Sequence, residues 1–256
     1  METIIVSKDQ SNMEKSVGTQ FMQATTYENL NPSGQKQGLP MPAFELPYQT
    51  NAKMVKLPEP DMLAEKEVNF LELIELRTSV RQYHNTMLTL HDLSYLLWCS
   101  QGVKMAMPET GTLRNVPSAG ARHAFETYVL INHVEGIPAG LYRFLALEHV
   151  LIEVNISDTI AQEITQAFLN QKMILSSSVT FIWTAVAERM TWRYGDRGYR
   201  YLHLDAGHVC QNIYLAANTL NFGACAIAAF NDEELNKVLG VDGEKQFAIY
   251  GACIGK

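Results

Sequence analysis

Residues 189–227 read RMTWRYGDRGYRYLHLDAGHVCQNIYLAANTLNFGACAI, and this stretch decides how the chain folds. An Arg- and Tyr-rich segment leads into a long apolar run whose spacing predicts one helix over 199–220. Gly223 then ends the helical pattern, and small residues predict a strand over 224–229. Asp205 and His208 have a possible ligand spacing of three, but no third ligand accompanies them, so we predict no metal here. The glycines of the stretch form no dinucleotide-binding motif.

The predicted long helix is apolar on more than one face. Small residues such as Gly207 would let a second helix approach closely. One domain rarely covers every face of such a helix, so we expect it at the subunit interface of a homodimer, with an ordinary core helix as the alternative. The main apolar stripe runs through Leu202, Ala206, Val209, Ile213, Ala216 and Leu220.

Composition narrows the class of protein. The 256 residues are 47% apolar and 18% charged, as in soluble globular proteins of one or two domains. The net charge of −7 argues against a nucleic-acid partner, because proteins that bind nucleic acids usually have a basic surface that contacts the phosphates. No run approaches the ~20 apolar residues of a membrane helix, and the N-terminus lacks a secretory core. We therefore expect a cytoplasmic protein without membrane contact, whose four scattered cysteines are reduced thiols rather than disulfides.

Two regions are expected along the chain. Residues 1–66 contain six of the nine prolines and few large apolar residues, so they cannot build a core of their own. We interpret them as an extended arm that lies on the body of the protein or on a partner subunit. Residues 67–256 have a globular pattern and form the second region.

Helix and strand patterns do not alternate regularly in residues 67–256, which favours an α+β fold over a doubly wound sheet. Thr89 with Asp92 predicts a helix start, as does Asn231 with Glu234. The strongest strand pattern covers 179–187, which is rich in β-branched and aromatic residues. The other predicted elements are helices over 68–76 and 157–169 and strands over 127–132, 141–144, 150–154 and 246–254.

The first segment with chemical potential is residues 77–81, RTSVR, directly after the first predicted helix. Arg77 and Arg81 offer forked charged donors, and Thr78 and Ser79 offer hydroxyls. Together they suit one compact anion such as a phosphate. The alternative is a basic helix end that interacts favourably with the helix dipole.

The second segment is residues 117–122. Pro117 fixes one backbone angle, Gly120 allows unusual ones, and most of the other side chains are small. Small side chains would let the backbone approach a flat ring, while the serine and arginine supply donors at its polar edge. The alternative is a plain loop before a strand. The residues concerned are Pro117, Ser118, Ala119, Gly120, Ala121 and Arg122.

The third segment is Gly223–Ala224, which follows the predicted long helix. Residues this small leave room for a ring and expose backbone N–H groups. A helix stop followed by an ordinary buried strand is the compatible alternative.

In this order, the three segments and the long helix resemble the nitroreductase superfamily. The resemblance covers roughly residues 70–255. The strings PSAGARH at 117–123 and YRYLHLDAGHVCQN at 199–212 look like its SagB-type branch, the azoline-oxidising FMN-dependent dehydrogenases. The proline-containing arm is similar to that branch too.

The resemblance implies a nitroreductase-like fold, with a central antiparallel sheet flanked by helices, in an intertwined homodimer that binds FMN between its subunits. Arg77, Thr78, Ser79 and Arg81 match the motif that holds the flavin. Residues 117–121 match a loop from the other subunit, and Arg122 offers a cation near the ring. Gly223 and Ala224 match the strand start whose N–H faces the flavin N5. Lys256 is the candidate for a basic residue near the phosphate.

The implied activity is hydride transfer through FMN, between NAD(P)H or an organic donor and a small organic acceptor. One alternative is oxidation of thiazoline or oxazoline rings in a modified peptide, and another is a flavin-binding module without turnover. Azoline-forming enzymes of the branch have a Lys-Tyr pair where this chain has Arg200-Tyr201. Arg stays protonated and is a poor base. Tyr201 remains a candidate proton donor, although it could instead pack the start of the helix.

Overall fold

The computed structural model describes residues 15–59, 68–107 and 110–256. Its centre is a seven-stranded sheet in the order β1-β6-β5-β4-β7-β9-β8, in which every neighbouring pair is antiparallel. The strands are β1 (Met54–Lys56), β4 (Phe125–Ile131), β5 (Gly140–Leu145), β6 (Val150–Asn155), β7 (Val179–Val186), β8 (Gly223–Ile227) and β9 (Gln246–Gly255). A separate hairpin pairs β2 (Val103–Met107) with β3 (Gly111–Arg114). The predicted α+β class with a central antiparallel sheet is confirmed.

The helices cover both faces of this sheet. Those that contribute to one core are α3 (Leu90–Gln101), α6 (Ala187–Tyr194) and α7 (Gly198–Thr219), and those that contribute to the other are α4 (Ile160–Ala167), α5 (Met173–Ser176) and α8 (Asp232–Leu239). Phe181 and Trp183 of β7 lie in the first core, whereas Ile182 lies in the second. This alternation is the two-residue period of a strand. Because β7 is buried on both faces, apolar residues occupy all its positions except Thr180 and Thr184.

The capping signals place two helices as predicted. At the start of α3, Thr89 and Asp92 form a complete capping box. Asn231 accepts the Glu234 N–H at the start of α8, and Gly240 ends that helix in the left-handed conformation that glycine adopts easily. The helix predicted over 68–76 begins two residues later, as α2 (Phe70–Leu76), and the one predicted over 157–169 is the shorter α4.

Helix α7 lies largely within its own chain. The predicted stripe faces the core, where Leu202 and Ile213 are fully buried. For this stripe the alternative, an ordinary core helix, is correct. A different face is exposed: Leu204 is 60% accessible, and open space surrounds Gly207. This second face is open for contact with another subunit. No helix in the described part of the chain is long and apolar enough to cross a bilayer.

The segment before α2 lies against the body but is not extended throughout. Helix α1 (Val17–Ala24) forms near its start, and β1 adds an edge strand to the main sheet by pairing with β6. Trp192 Nε1 donates to the Leu39 carbonyl at 2.9 Å, and Arg189 Nε donates to the Ala43 carbonyl at 2.7 Å. The predicted boundary at residue 66 and the first 14 residues lie outside the described residues.

A buried ion pair lies beneath this segment. Arg189 Nη2 contacts Glu126 Oε1 at 2.6 Å, and both side chains are almost fully buried. The same Glu126 oxygen accepts the Leu46 N–H at 2.9 Å. Removing either charge would leave the other buried and unpaired, which costs several kcal/mol. The pair therefore ties residues 43–46 to β4 and α6.

Candidate functional site

The RTSVR segment at 77–81 lies against the start of β8. The Val80 N–H donates to the Ala224 carbonyl at 3.0 Å, and Ser79 and Ala224 form an isolated parallel bridge. A Cβ added to Gly223 would lie 2.6 Å from the Val80 side chain, so this close approach requires glycine. Two of the three predicted segments therefore meet within one chain.

Tyr214 of α7 joins the two segments. Its hydroxyl lies 2.9 Å from Ser79 Oγ and accepts the backbone N–H of Ala226 at 2.8 Å. The Arg77 guanidinium lies 5.5 Å from the centroid of the Tyr214 ring, within range of a cation–π contact. No sequence motif points to Tyr214, because a tyrosine in an apolar helix is usually a packing residue.

Three cations surround this junction. Arg77 is half-buried, and Arg81 and Lys256 are exposed. Lys256 is held beside the segment because its carbonyl accepts the His84 N–H at 2.7 Å. None of the three forms an ion pair with any residue in the described ranges. Their charge is therefore available for an anion such as a phosphate.

The 117–122 loop lies elsewhere in the chain. The Ala119 N–H donates to both carboxylate oxygens of Asp205, at 3.2 and 3.3 Å. Burial raises the pKa of Asp205, although its bonds to the loop oppose that shift. Gly120 has a φ of 59°, and a Cβ there would lie 2.4 Å from the Tyr194 hydroxyl. Asp205 therefore fixes the loop on the first half of α7.

Two predicted donors of this loop point into the protein. Ser118 Oγ accepts the His123 N–H at 2.9 Å. Arg122 is buried, and its guanidinium donates to the carbonyls of Thr110 at 2.5 Å and Gly120 at 3.0 Å. Burial lowers the pKa of Arg122, and the charge of a neighbouring arginine adds to that effect. In this arrangement Arg122 holds the loop in shape.

The loop and the RTSVR segment contact α7 nine residues apart, at Asp205 and Tyr214. At 1.5 Å per residue this separation is about 14 Å along the helix axis. The structure of one chain thus brings together residues 77–81, Gly223, Ala224 and Lys256, and places residues 117–122 apart from them.

Arg200 faces the N-terminal segment. Its Nε donates to Thr25 Oγ1 at 2.7 Å, and its Nη2 donates to the Met22 carbonyl. Arg200 therefore holds the end of α1 against α7. It lies near the start of α7, about four turns before Tyr214.

Tyr201 belongs to a small polar network. Its hydroxyl accepts from Arg197 Nε at 2.8 Å and lies 3.1 Å from the Tyr27 hydroxyl. Its ring meets the Tyr194 ring edge-on, with the centroids 4.9 Å apart. Partial burial works to raise the pKa of Tyr201, but the bonds to Tyr27 and Arg197 outweigh it, and the pKa is lowered. The packing alternative and a chemical function are both compatible with this geometry.

All four cysteines are free thiols. Cys210, Cys225 and Cys253 are buried, and Cys99 is partly buried. Burial raises the pKa of each thiol, to about 12 for Cys210 and Cys253, which keeps them protonated. Within residues 15–59, 68–107 and 110–256, no three His, Cys, Asp or Glu side chains are grouped to hold a metal ion.

Comparison with known proteins identifies the family. The profile of the nitroreductase family matches residues 74–256, so the chain belongs to that family. This membership confirms the predicted nitroreductase-like fold and the predicted class of enzyme, an oxidoreductase of the nitroreductase family.

Two curated relatives share extended sequence similarity. The protein named "Putative nitroreductase MJ1384" of Methanocaldococcus jannaschii is 36% identical over 176 residues, which are 69% of this chain and 86% of that protein. The trifolitoxin-processing protein TfxB of Rhizobium leguminosarum bv. trifolii is 32% identical over 131 residues, 50% of this chain and 35% of TfxB.

A solved nitroreductase-like structure from Anabaena variabilis ATCC 29413 superposes with a TM-score of 0.66 at 26% identity. The alignment covers 81% of this chain and 42% of that one. The chain therefore spans less than half the length of TfxB and of this structure.

Proposed function

We propose that the chain binds FMN non-covalently and transfers hydride between NAD(P)H, or an organic donor, and a small organic acceptor. The observation that carries the proposal is the junction of residues 77–81 with Gly223, Ala224 and Lys256. It combines cations for a phosphate with a strand start that has no bulky side chain.

The phosphate end of FMN would lie among Arg77, Arg81 and Lys256. The two guanidiniums can each form paired charge-assisted bonds to phosphate oxygens, and the ammonium adds a point charge. Thr78 and Ser79 are exposed beside them and can donate hydroxyl bonds. This donor set fits a phosphorylated cofactor, because no carboxylate in the described part of the chain neutralises it.

The ring of FMN would lie over the start of β8. Bound flavin supplies hydride transfer, so the protein needs no nucleophile of its own. Gly223 lets Val80 pack directly against the strand start, and Tyr214 fixes that strand relative to Ser79. A cation close to the ring edge, such as Arg81, stabilises negative charge that develops there. The chain thus orients the ring and tunes its electrostatics.

A second copy of the chain would complete the site. Residues 117–121 lie about 14 Å along α7 from Tyr214, so they would serve the flavin held mainly by the partner. Helix α2 supports such an interface, because Phe70, Leu71 and Leu76 are each more than 60% exposed. The open face of α7 at Leu204 and Gly207 could form part of the same contact. Exposed apolar surface of this kind marks protein interfaces.

Peptide azoline oxidation is the second candidate function. The similarity to the trifolitoxin-processing protein favours it. Arg200 is a poor base because it stays charged, and its guanidinium already bonds Thr25 and Met22. Tyr201 is then the remaining candidate for proton transfer at the site, and its lowered pKa suits that function. Hydride exchange with small molecules therefore remains the first proposal.

An anaerobic spectrum of the purified protein tests the proposal. We expect a flavin absorption that NADPH bleaches and that a nitroaromatic or quinone then restores. If NADPH leaves the spectrum unchanged but a thiazoline peptide bleaches it, the second function replaces the first. A bound flavin that no donor reduces would contradict both and indicate a module without turnover.

A further inference from the structure

A cavity of about 390 Å³ lies between the N-terminal segment and the junction of α6 with α7. Arg193, Tyr194 and Arg197 form one wall, and the other consists of Tyr27, residues 30–33, Gln35 and Lys36. This volume lies in the usual range of small-molecule sites. Neither the proposed flavin contacts nor the buried core accounts for it.

The charge of the cavity is opposite to that of the chain. Lys36, Arg193 and Arg197 line it, and no acidic side chain of the described residues does, although the whole chain carries −7. Glu28 and Asp196 adjoin these residues in sequence but are outside the lining. A cationic cavity on an acidic protein concentrates anions.

Arg193 and Arg197 have hydrogen-bond donors that are not used within the described residues. Arg193 forms no hydrogen bond or ion pair with the described residues, and its nearest ring contact is Tyr194, 5.8 Å from the guanidinium. Arg197 uses Nε and Nη1 on Tyr201 and on the Thr25 carbonyl, which leaves Nη2 for a ligand. These bonds also hold the Arg197 fork in place, which lowers the entropy cost of binding.

Flat aromatic surface accompanies the charge. The Arg197 guanidinium lies 4.3 Å from the centroid of the Tyr27 ring, and Tyr194 lines the opposite wall. The cavity wall that contains Tyr27 belongs to the N-terminal segment. A hydrogen bond of 2.7 Å from the Gln35 N–H to the Trp192 carbonyl holds this segment in place. The segment therefore builds half of the cavity.

The cavity adjoins the loop that we assign to the flavin. The Tyr194 hydroxyl would lie 2.4 Å from a Cβ at Gly120, so the loop backbone and the cavity wall are in contact. A ligand in the cavity would thus extend toward the flavin that residues 117–121 contact.

From these contacts we propose that the cavity binds the oxyanion of a planar small molecule that exchanges hydride at the neighbouring flavin. The carboxylate of an aromatic acceptor and the 2′-phosphate of NADPH share this chemistry. The N-terminal segment then has a function in substrate recognition. The inference rests on the proposed function for its reaction, but the binding itself does not require turnover.

Calorimetric titration of the flavin-loaded protein with 4-nitrobenzoate, 4-nitrobenzamide and 2′,5′-ADP tests the proposal. In Arg193→Gln we expect the affinity for the bound anion to fall about tenfold, with Arg193→Lys between that variant and the wild type. The neutral amide should show no such difference. Lys237→Gln, which removes an exposed charge on α8, is the matched control.

The two anionic ligands distinguish between a carboxylate and a phosphate as the oxyanion that the cavity binds. A loss confined to 4-nitrobenzoate assigns the cavity to a carboxylate acceptor, and a loss confined to 2′,5′-ADP assigns it to the nicotinamide cofactor. Equal affinities in wild type and Arg193→Gln for both anions, or no binding of either, would overturn the inference. Flavin content is measured on the same samples, so a failure of flavin binding is recognised separately.

Discussion

The Tyr214 hydroxyl lies 2.9 Å from Ser79 Oγ and accepts the Ala226 N–H, so one side chain of α7 links the RTSVR segment to the strand beside it. Each such bond contributes about 0.5–1.5 kcal/mol. We predict that Tyr214→Phe weakens FMN binding about 3- to 30-fold without unfolding the protein. Fluorescence titration of the apoprotein measures the dissociation constant.

Tyr142→Phe is the matched control for this variant. Tyr142 also donates one bond, to the Pro138 carbonyl, but it lies in β5, away from the proposed site. It should lower stability and leave the FMN dissociation constant unchanged. Equal FMN affinity in Tyr214→Phe and the wild type would remove Tyr214 from the site.

Gly223 tests the close approach between β8 and the RTSVR segment. In Gly223→Ala the new methyl group would meet Val80 at 2.6 Å, so the two segments must separate. We predict at least about a tenfold loss of FMN affinity and a destabilisation of about 1–3 kcal/mol from overpacking. Gly18→Ala, where the nearest atom is 4.0 Å away, should leave FMN affinity unchanged and should not destabilise the protein, because alanine is favoured over glycine in helix α1. Retained affinity in Gly223→Ala would show that the junction does not shape the flavin site.

Gly207 tests the proposed dimer. Gly207 is exposed and nothing lies within 4 Å of a Cβ at this position, so the side chain added in Gly207→Trp starts on the open surface of the chain. In a dimer that uses this face, the indole would separate the subunits. We predict a dimeric wild type and a monomeric variant in light scattering, with Gln166→Trp on α4 remaining dimeric. A monomeric wild type at micromolar concentration would contradict the dimer.

Glu45 gives the N-terminal segment a pH dependence. Burial raises the pKa of Glu45 to about 7 from its ordinary 4.5, the Leu147 N–H opposes this, and Glu148 and Glu126 add to it. Because the pKa of Glu45 is higher in the folded protein than in the unfolded chain, its contribution to folding stability is complete below pH 4.5. That contribution is lost as the pH rises through about 7. Above pH 7 the buried charge therefore weakens the contact.

We predict that Glu45→Gln raises the melting temperature by a few °C at pH 8, given about 2–4 °C per kcal/mol, and leaves it nearly unchanged at pH 5. The amide oxygen can still accept the Leu147 N–H. Glu244→Gln, an exposed position, is the control at both pH values. An increase of the same size at pH 5 would argue that charge on Glu45 is not the cause.

The main elements of the fold could be predicted because their signals are local. Thr89 with Asp92 forms the predicted capping box, and the apolar run of β7 reflects burial on both faces. Strand β1 could not be predicted, because three residues of mixed polarity form a strand only by pairing with β6, nearly a hundred residues later. The β2–β3 hairpin was also missed, since its β2 strand is mostly exposed and lacks apolar alternation.

The site could be predicted only in part. Residues 77–81 and 223–224 carry short motifs whose chemistry is visible in sequence. Their hydrogen bond, the link through Tyr214 and the inward direction of Arg122 depend on tertiary packing. The same holds for Arg200, whose bonds to residues 22 and 25 depend on where the N-terminal segment lies.

In the proposed site, residues 77–81 hold the phosphate of FMN. We would test this by titrating the apoprotein with FMN and monitoring the quenching of flavin fluorescence, in the wild type and in Arg77→Gln/Arg81→Gln. We expect saturation at one FMN per chain for the wild type and at least about a hundredfold weaker binding for the double variant. Lys237→Gln/Lys245→Gln loses the same charge and should bind as the wild type does. Equal FMN affinity in the wild type and in Arg77→Gln/Arg81→Gln would show that these arginines do not hold the phosphate. A wild type that binds no FMN would contradict the proposed site as a whole.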